Sequence, residues 1–241
     1  GKVSYYFNKY SANREINTLL FCFEPDNFEA KPMGDRLESW INDMIGDTPT
    51  QRQERLANYK ISPLFFIGTK FNNQLELKTT DRADNKGSLN ERWIKWFETH
   101  LLSSIITPTN SWFDNWTNNQ KHFDNIFLLR DFRYSTKIFS GWSSHGDYET
   151  AENVPQDYSE FRKDLRKSFI ENPFVMRHFH DPSVCWDEAA VVNKDGSELI
   201  ISKLSESAAV MKEARHKNFL CDIVDTGSVI VTELNKYYHD E

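Results

Sequence analysis

Immediately after an apolar run, the sequence has three polar side chains that could contact a ligand. The run at 63–67 ends abruptly in Gly-Thr-Lys-Phe-Asn, which places Thr69, Lys70 and Asn72 just behind it. A run of this length indicates a buried strand, and open α/β sheets bind ligands at the carboxyl ends of their strands. The stem of Lys70 could cover a flat ring while its ammonium stays hydrated. The alternative interpretation is that the strand simply leaves the core at this point.

Two further apolar runs, at Leu19–Phe23 and at 126–129, predict two more strands. Segments with apolar residues at helical spacing lie between the runs, at 34–46 and 90–106, and a polar helix is predicted to start on Pro49 and cover 49–59. This alternation predicts an α/β fold with a mainly parallel sheet flanked by helices. The opening segment, 2–10, fits either an edge strand or the end of a helix.

The pattern becomes helical in the last part of the chain, so we predict an α/β domain at 1–150 and a helical extension at 151–241. The segment 193–196, Asn-Lys-Asp-Gly, fits a hairpin turn or a link between two helices. The link is favoured because apolar residues continue at helical spacing from Leu199. Apolar residues then recur at heptad spacing from Leu220 to Tyr238, with Gly227 at one inward position. This heptad spacing predicts a terminal pair of antiparallel helices, although the glycine costs helix stability.

Composition restricts the partners of the chain. The formal net charge of −7 argues against a general nucleic-acid coat, which needs a basic surface. Apolar runs stay well short of the ~18 residues that a membrane span requires, so no span is expected. Three widely spaced cysteines and the lack of a signal peptide favour a cytoplasmic location.

The segment "FFIGTKFN" resembles the end of the strand that carries the [N/T]-K-x-D motif in P-loop GTPases. In that family the Asp accepts two hydrogen bonds from guanine, and the Lys stem packs over the base. The resemblance therefore implies nucleotide-binding roles for Thr69, Lys70 and Asn72. Asn72 stands where the family has Asp, and an amide offers an acceptor and a donor instead of two acceptors. Guanine would then face one mismatched contact, which is costly in a buried site.

The resemblance extends to "LLFCFEP", "NIFLLRDF" and the helical tail with "DGSELIISKL", which look like bacterial virulence proteins of the dynamin-like or SrfC type. No G-x-x-x-x-G-K-[S/T] loop occurs in the 241 residues, so a phosphate site with Mg²⁺ would have to lie upstream of Gly1. The chain is accordingly interpreted as the downstream portion of a nucleotide-binding, P-loop GTPase-like protein that does not hydrolyse nucleotide alone. The alternative is a non-enzymatic interaction module whose partner is another protein.

Other residues that could do chemistry give weaker signals. The stretch "MRHFHDPSVCWDE" contains His178, His180, Asp181 and Cys185, but its proline favours a polar connection over a metal site, and we predict no metal ligands. Three tryptophans near Asn-rich loops are interpreted as ordinary packing, because basic residues that would accompany nucleic-acid stacking are scarce around them. These are Trp112, Trp116 and Trp142.

Overall fold

A three-stranded parallel sheet lies at the centre of the molecule. The computed structural model describes residues 2–12, 15–24, 34–81, 87–105, 112–119, 121–142, 148–156 and 160–238. Strands β1 (Leu19–Phe23), β2 (Leu64–Gly68) and β3 (Ile126–Leu128) pair in the order β1-β2-β3, all parallel. All five residues of the central strand β2 are buried, which explains its continuous apolar run. The predicted α/β fold with a mainly parallel sheet is confirmed.

Helices account for most of the remaining described chain. They are α1 (Lys2–Ala12), α2 (Gly34–Met44), α3 (Pro49–Leu56), α4 (Asn72–Leu75), α5 (Gly87–Trp93), a π-helical segment (Ile94–Leu101), α6 (Leu102–Ile105), α7 (Phe161–Ile170), α8 (Pro173–His178), α9 (Pro182–Ala189) and α10 (Ser197–Asn235). The opening segment is therefore helical. A short antiparallel pair, β4 (Phe139–Ser140) and β5 (Ala151–Glu152), follows β3.

Side-chain caps followed by proline set the beginnings of three helices. The Thr48 hydroxyl accepts a hydrogen bond from the Gln51 amide before α3, and the Asn172 side chain accepts from two amides at the start of α8. Asp181 accepts from the amide of Val184 before α9. In each case proline occupies the first helical position, where its missing N–H costs nothing. Asp181, read from the sequence as part of a polar connection, is thus a helix cap.

The terminal helix pair predicted from the sequence is wrong, because residues Ser197–Asn235 form one continuous helix. Gly227 lies inside this helix, and a Cβ placed on it would meet nothing within 4 Å. A glycine costs a helix roughly 1 kcal/mol, which a helix of this length tolerates. The predicted link at 193–196 is confirmed, since it joins α9 to α10.

Aromatic side chains dominate the core. Trp93, Trp96 and Phe97 project from the helix that runs through the π-helical segment, and Phe71 stacks on Trp96 with ring centroids 5.9 Å apart. One hydrophobic cluster includes residues from Phe23 to Ile200 and so contains side chains on both sides of residue 150. The division at residue 150 stays a prediction.

Candidate functional site

A cleft of about 570 Å³ lies at the carboxyl edge of the parallel sheet. This is the edge at which the sequence predicts ligand-binding side chains. The cleft is lined by Thr69, Lys70, Leu129, Arg130, Asp131, Phe132, Arg133, Trp142 and Asp195.

Thr69 and Lys70 occupy the position in the cleft that the sequence predicts. The amide and the hydroxyl of Thr69 both donate to the carbonyl of Phe23, at 2.9 and 3.0 Å, and so extend the pairing of β2 with β1. Lys70 has a positive φ of 53°, a conformation that turns the chain sharply after the strand. Its ammonium lies 2.7 Å from Glu24 Oε2. Both side chains are well exposed, so the pair contributes little to stability and leaves the ammonium accessible.

Asn72 lies outside the cleft lining in the described part of the chain. Its side chain is buried at the start of α4, and its amide nitrogen donates to Asn73 Oδ1 at 3.0 Å and to the Tyr134 carbonyl at 3.4 Å. The side-chain oxygen of Asn72 is buried and has no hydrogen-bond partner within the described part of the chain. The structure thus brings Thr69 and Lys70 to one surface but places the Asn72 amide elsewhere. Nucleotide binding by these three residues stays a prediction.

Arg130 is the most extensively bonded side chain at the cleft. Its guanidinium forms a two-pronged ion pair with Glu149, and both side chains are fully buried. The same guanidinium donates to the carbonyls of Ala189, Val191 and Lys194, at 2.6–2.9 Å. These contacts attach the end of β3 to the link before α10. Because each of its three nitrogens is engaged and the side chain is fully buried, Arg130 supports the cleft wall.

The groups that face the cleft opening are a cation and an aromatic pair. Arg133 is exposed, and its guanidinium makes no ion pair with the described residues. Phe132 and Trp142 stack with ring centroids 5.5 Å apart at 10°. The sequence analysis did not single out Arg133 or Phe132, although both follow the predicted strand at 126–129 and the carboxyl-edge rule could have found them. Trp142 was interpreted only as packing.

The sheet order weighs against a deep ligand crevice. The three described strands follow one another across the sheet in chain order. Open α/β sheets form their ligand crevice where the strand order reverses. The described sheet has no such reversal, so its carboxyl edge offers an open cleft.

The residues of the "MRHFHDPSVCWDE" stretch separate in the structure. Burial lowers the pKa of His178 to about 4, so its ring is neutral at pH 7. His180 is exposed, while Cys185 is buried against the carbonyl of Ile126, with its sulfur 3.7 Å from the oxygen. Burial raises the pKa of the Cys185 thiol to about 12, which keeps it protonated and a poor nucleophile. Trp112 and Trp116 pack in the core, as predicted.

A family relationship covers the whole chain. Residues 1–241 match the family model described as "Putative bacterial virulence factor". The chain belongs to this family. No curated protein and no solved structure matches the sequence. The virulence-factor part of the resemblance is therefore confirmed, and the relationship to P-loop GTPases stays a prediction.

Among the described residues of this family member, no helix is both long and apolar enough to cross a bilayer. Even the 39-residue helix α10 has no stretch that is apolar enough to span a membrane.

Proposed function

We propose that this member of the virulence-factor family is a non-enzymatic protein-interaction module that binds through the far end of α10. The observation that carries the proposal is a set of large apolar side chains, each about half to four-fifths exposed, along the last part of this helix and just beyond its end. We call this set the α10 stripe. It consists of Leu220, Ile223, Val224, Ile230, Val231, Leu234, Tyr237 and Tyr238.

The far end of α10 projects from the body. The helix is attached by the Asn58 amide, which donates to Asn218 Oδ1 at 3.0 Å, and by an ion pair between Arg55 and Asp222. Every residue from 228 to 238 is exposed. The stripe therefore lies mostly beyond the last polar attachment to the described body.

A helical end of this kind gains stability from a partner. An isolated helix of fewer than ~12–15 residues is marginal in water, because most helical stability comes from packing of an apolar face. Large contiguous apolar patches on the surface of a folded protein mark interaction sites. Burying one Leu, Ile or Val side chain contributes roughly 1.5–3 kcal/mol, so several of them would offset the cost of association.

The stripe has the same pattern in both directions from Gly227, which makes a second copy of the chain the expected partner. Two antiparallel copies crossing at Gly227 would place Leu220 opposite Leu234, and Ile223 and Val224 opposite Val231 and Ile230. A twofold pairing of this type uses the same patch on both protomers. Gly227 has no Cβ, so the two backbones could approach closely at the crossing point.

Two neighbouring exposed residues provide a matched test. Ile230 belongs to the stripe and is 53% exposed, while Val229 is 61% exposed and lies off the stripe. We expect the unmodified protein and Val229→Lys to form dimers with rising concentration in sedimentation velocity, and Ile230→Lys to stay monomeric. A monomer at all accessible concentrations would contradict the pairing of two copies. Equal association of both variants would show that the stripe is not the interface.

A second candidate function is binding of an anionic ligand that carries an aromatic ring, such as a nucleotide, in the cleft. Lys70 and Arg133 could bind the anion, while the stacked Phe132 and Trp142 could contact a ring. We expect calorimetric titration with Mg²⁺-GTP or GDP to detect binding that Lys70→Ala abolishes and Lys60→Ala, an exposed control, retains. Hydrolysis by this chain alone is not expected, since it contains no phosphate-binding loop. If neither nucleotide binds, the nucleotide-binding role is excluded, and Thr69 and Lys70 are simply the residues at which the chain leaves strand β2.

A further inference from the structure

We propose that Asp114, His122 and His178 form a binding site for a divalent transition-metal ion, with Zn²⁺ as the first candidate. Asp114 and His122 belong to one turn, and His178 joins them from α8, which is distant in sequence. The proposal is independent of the stripe on α10.

The ligand atoms are close to the spacing that a metal ion imposes. Oδ1 of Asp114 lies 3.4 Å from Nδ1 of His122 and 3.9 Å from Nε2 of His178. All three ligand atoms lie within 4.8 Å of one another. Bonds of about 2.0–2.1 Å to a tetrahedral Zn²⁺ place the ligand atoms roughly 3.3 Å apart. Asp114 is exposed and His122 is partly exposed, so small side-chain rotations could close the site around an ion.

Tertiary packing explains how the three residues meet. Asp114 and His122 lie opposite each other in a turn, in which the Phe123 amide donates to the Phe113 carbonyl at 2.8 Å. His178 is the last residue of α8, and its ring stacks on Phe113 with centroids 4.3 Å apart. The aromatic packing thereby holds α8 against the turn and brings the third ligand to the other two.

The hydrogen bond of His178 leaves a lone pair for the metal. Its Nδ1 lies 2.8 Å from the carbonyl oxygen of Phe123. A carbonyl can only accept, so Nδ1 carries the hydrogen and Nε2, the atom nearest Asp114, has the free lone pair. Metal-binding histidines are commonly oriented in this way by a carbonyl or a carboxylate.

The ring of His122 has a buried nitrogen whose hydrogen bonding is incomplete. Its Nδ1 is buried and makes no well-formed hydrogen bond with the described residues, although Asp114 Oδ1 lies 3.4 Å away. A buried polar atom without a partner costs free energy, and an ion bound between His122, Asp114 and His178 would satisfy it.

The donor set selects the kind of ion. Two imidazoles and one carboxylate suit Zn²⁺ and its neighbours in the first transition row, whereas Ca²⁺ and Mg²⁺ prefer all-oxygen sites. Three protein ligands leave a fourth position that water can fill. A bound ion would join the turn that contains Asp114 and His122 to α8.

The test uses the full chain without a histidine tag. We expect calorimetry to show one Zn²⁺ per chain, Zn²⁺ to raise the temperature of thermal unfolding, and Co²⁺ to give the visible absorption of a tetrahedral site. Asp114→Asn and His122→Gln change accessible side chains and should leave the fold intact. Loss of a residue that only orients a metal ligand typically weakens metal binding by about 10- to 100-fold. Each of these variants removes a ligand itself, so each should weaken Zn²⁺ binding by more than that.

His216→Gln is the matched control, because His216 is an exposed histidine on α10. This variant should bind Zn²⁺ like the unmodified protein, and Mg²⁺ and Ca²⁺ should fail to compete. The proposal is overturned if the unmodified protein binds no Zn²⁺. It is equally overturned if Asp114→Asn and His122→Gln bind Zn²⁺ as tightly as the control His216→Gln and the unmodified protein.

Discussion

Arg130 shows how one side chain can join two parts of this molecule. It follows β3, and its guanidinium contacts Glu149 and three carbonyls of the segment that leads into α10. The ring centroids of Phe132 and Phe139 also lie 4.8 and 4.3 Å from the guanidinium carbon, so two aromatic rings pack against the cation. A fully buried cation with this many partners must be matched closely by its surroundings.

We therefore predict that Arg130→Ala lowers the free energy of unfolding by about 3–5 kcal/mol, because it leaves the Glu149 carboxylate buried and unpaired. Urea denaturation measures this loss. Arg166→Ala is the matched control, since Arg166 also forms a two-pronged pair, with Asp187, but both side chains are 40–50% exposed. The control should cost less than about 1 kcal/mol. Similar losses in the two variants would show that burial does not set the cost.

At the scale of single residues, the sequence predicted the position of the cleft residues but not the group of Asp114, His122 and His178. Thr69 and Lys70 follow an apolar run directly, so the run itself predicted their place at the sheet edge. His178 was visible only beside His180 and Cys185, its neighbours in sequence. Its neighbours in space, Asp114 and His122, precede it by more than 50 residues. No local pattern records the packing that brings them together.

Two glycines show that the effect of a substitution on stability depends on the structural element that contains it. Gly196 has φ +94°, and a Cβ there would lie 2.0 Å from the Leu128 carbonyl oxygen, whereas Gly227 has open space around it. We predict that Gly196→Ala destabilises the protein by more than about 2 kcal/mol, through backbone strain and this clash. Gly227→Ala should stabilise the far end of α10 by about 1 kcal/mol.

Denaturation measures the stability of Gly196→Ala. Hydrogen exchange of the amides in 223–235 measures the stability of the helix end in Gly227→Ala. Slower exchange in Gly227→Ala at a concentration where the protein is monomeric is the expected result. Unchanged exchange in Gly227→Ala, or an unchanged unfolding midpoint in Gly196→Ala, would contradict the respective prediction.

Whole elements were predicted best where the signal in the sequence was local. β1 and the helices at 34–46 and 49–59 agree with the sequence interpretation because apolar runs and caps act locally. The predicted helix pair failed because the heptad spacing was taken as the seam of an antiparallel pair, whereas the same apolar residues are exposed on one continuous 39-residue helix. α1 stayed undecided because four aromatic residues in its first ten positions fit either periodicity.

The molecule as a whole combines an aromatic-rich body with a projecting helical end. The body is held by one hydrophobic cluster, while the far end of α10 has exposed apolar side chains. These two parts should differ in how readily they open. Regions with few buried contacts open at a lower free energy than the core.

We predict that brief digestion with chymotrypsin cuts within 223–238 before it cuts within α7–α9, because the protease needs an opened segment and the projecting end opens first. Mass spectrometry of the fragments identifies the order. If two copies pair through the α10 stripe, cutting should slow as protein concentration rises, and Ile230→Lys should lose this protection. Early cuts in α7–α9 would contradict the predicted order.

The edge position of β1 has a consequence during synthesis. β1 is the sequence Leu-Leu-Phe-Cys-Phe, without charge or proline, and its partner in the sheet is β2. Leu64 follows Leu19 by 45 residues, and a ribosome adds about 5–20 residues per second, so β1 waits roughly 2 to 9 s before β2 is made. An unpaired segment of this composition is prone to aggregation. The yield of folded protein should therefore depend on how well β1 is shielded while α2 and α3 are being translated.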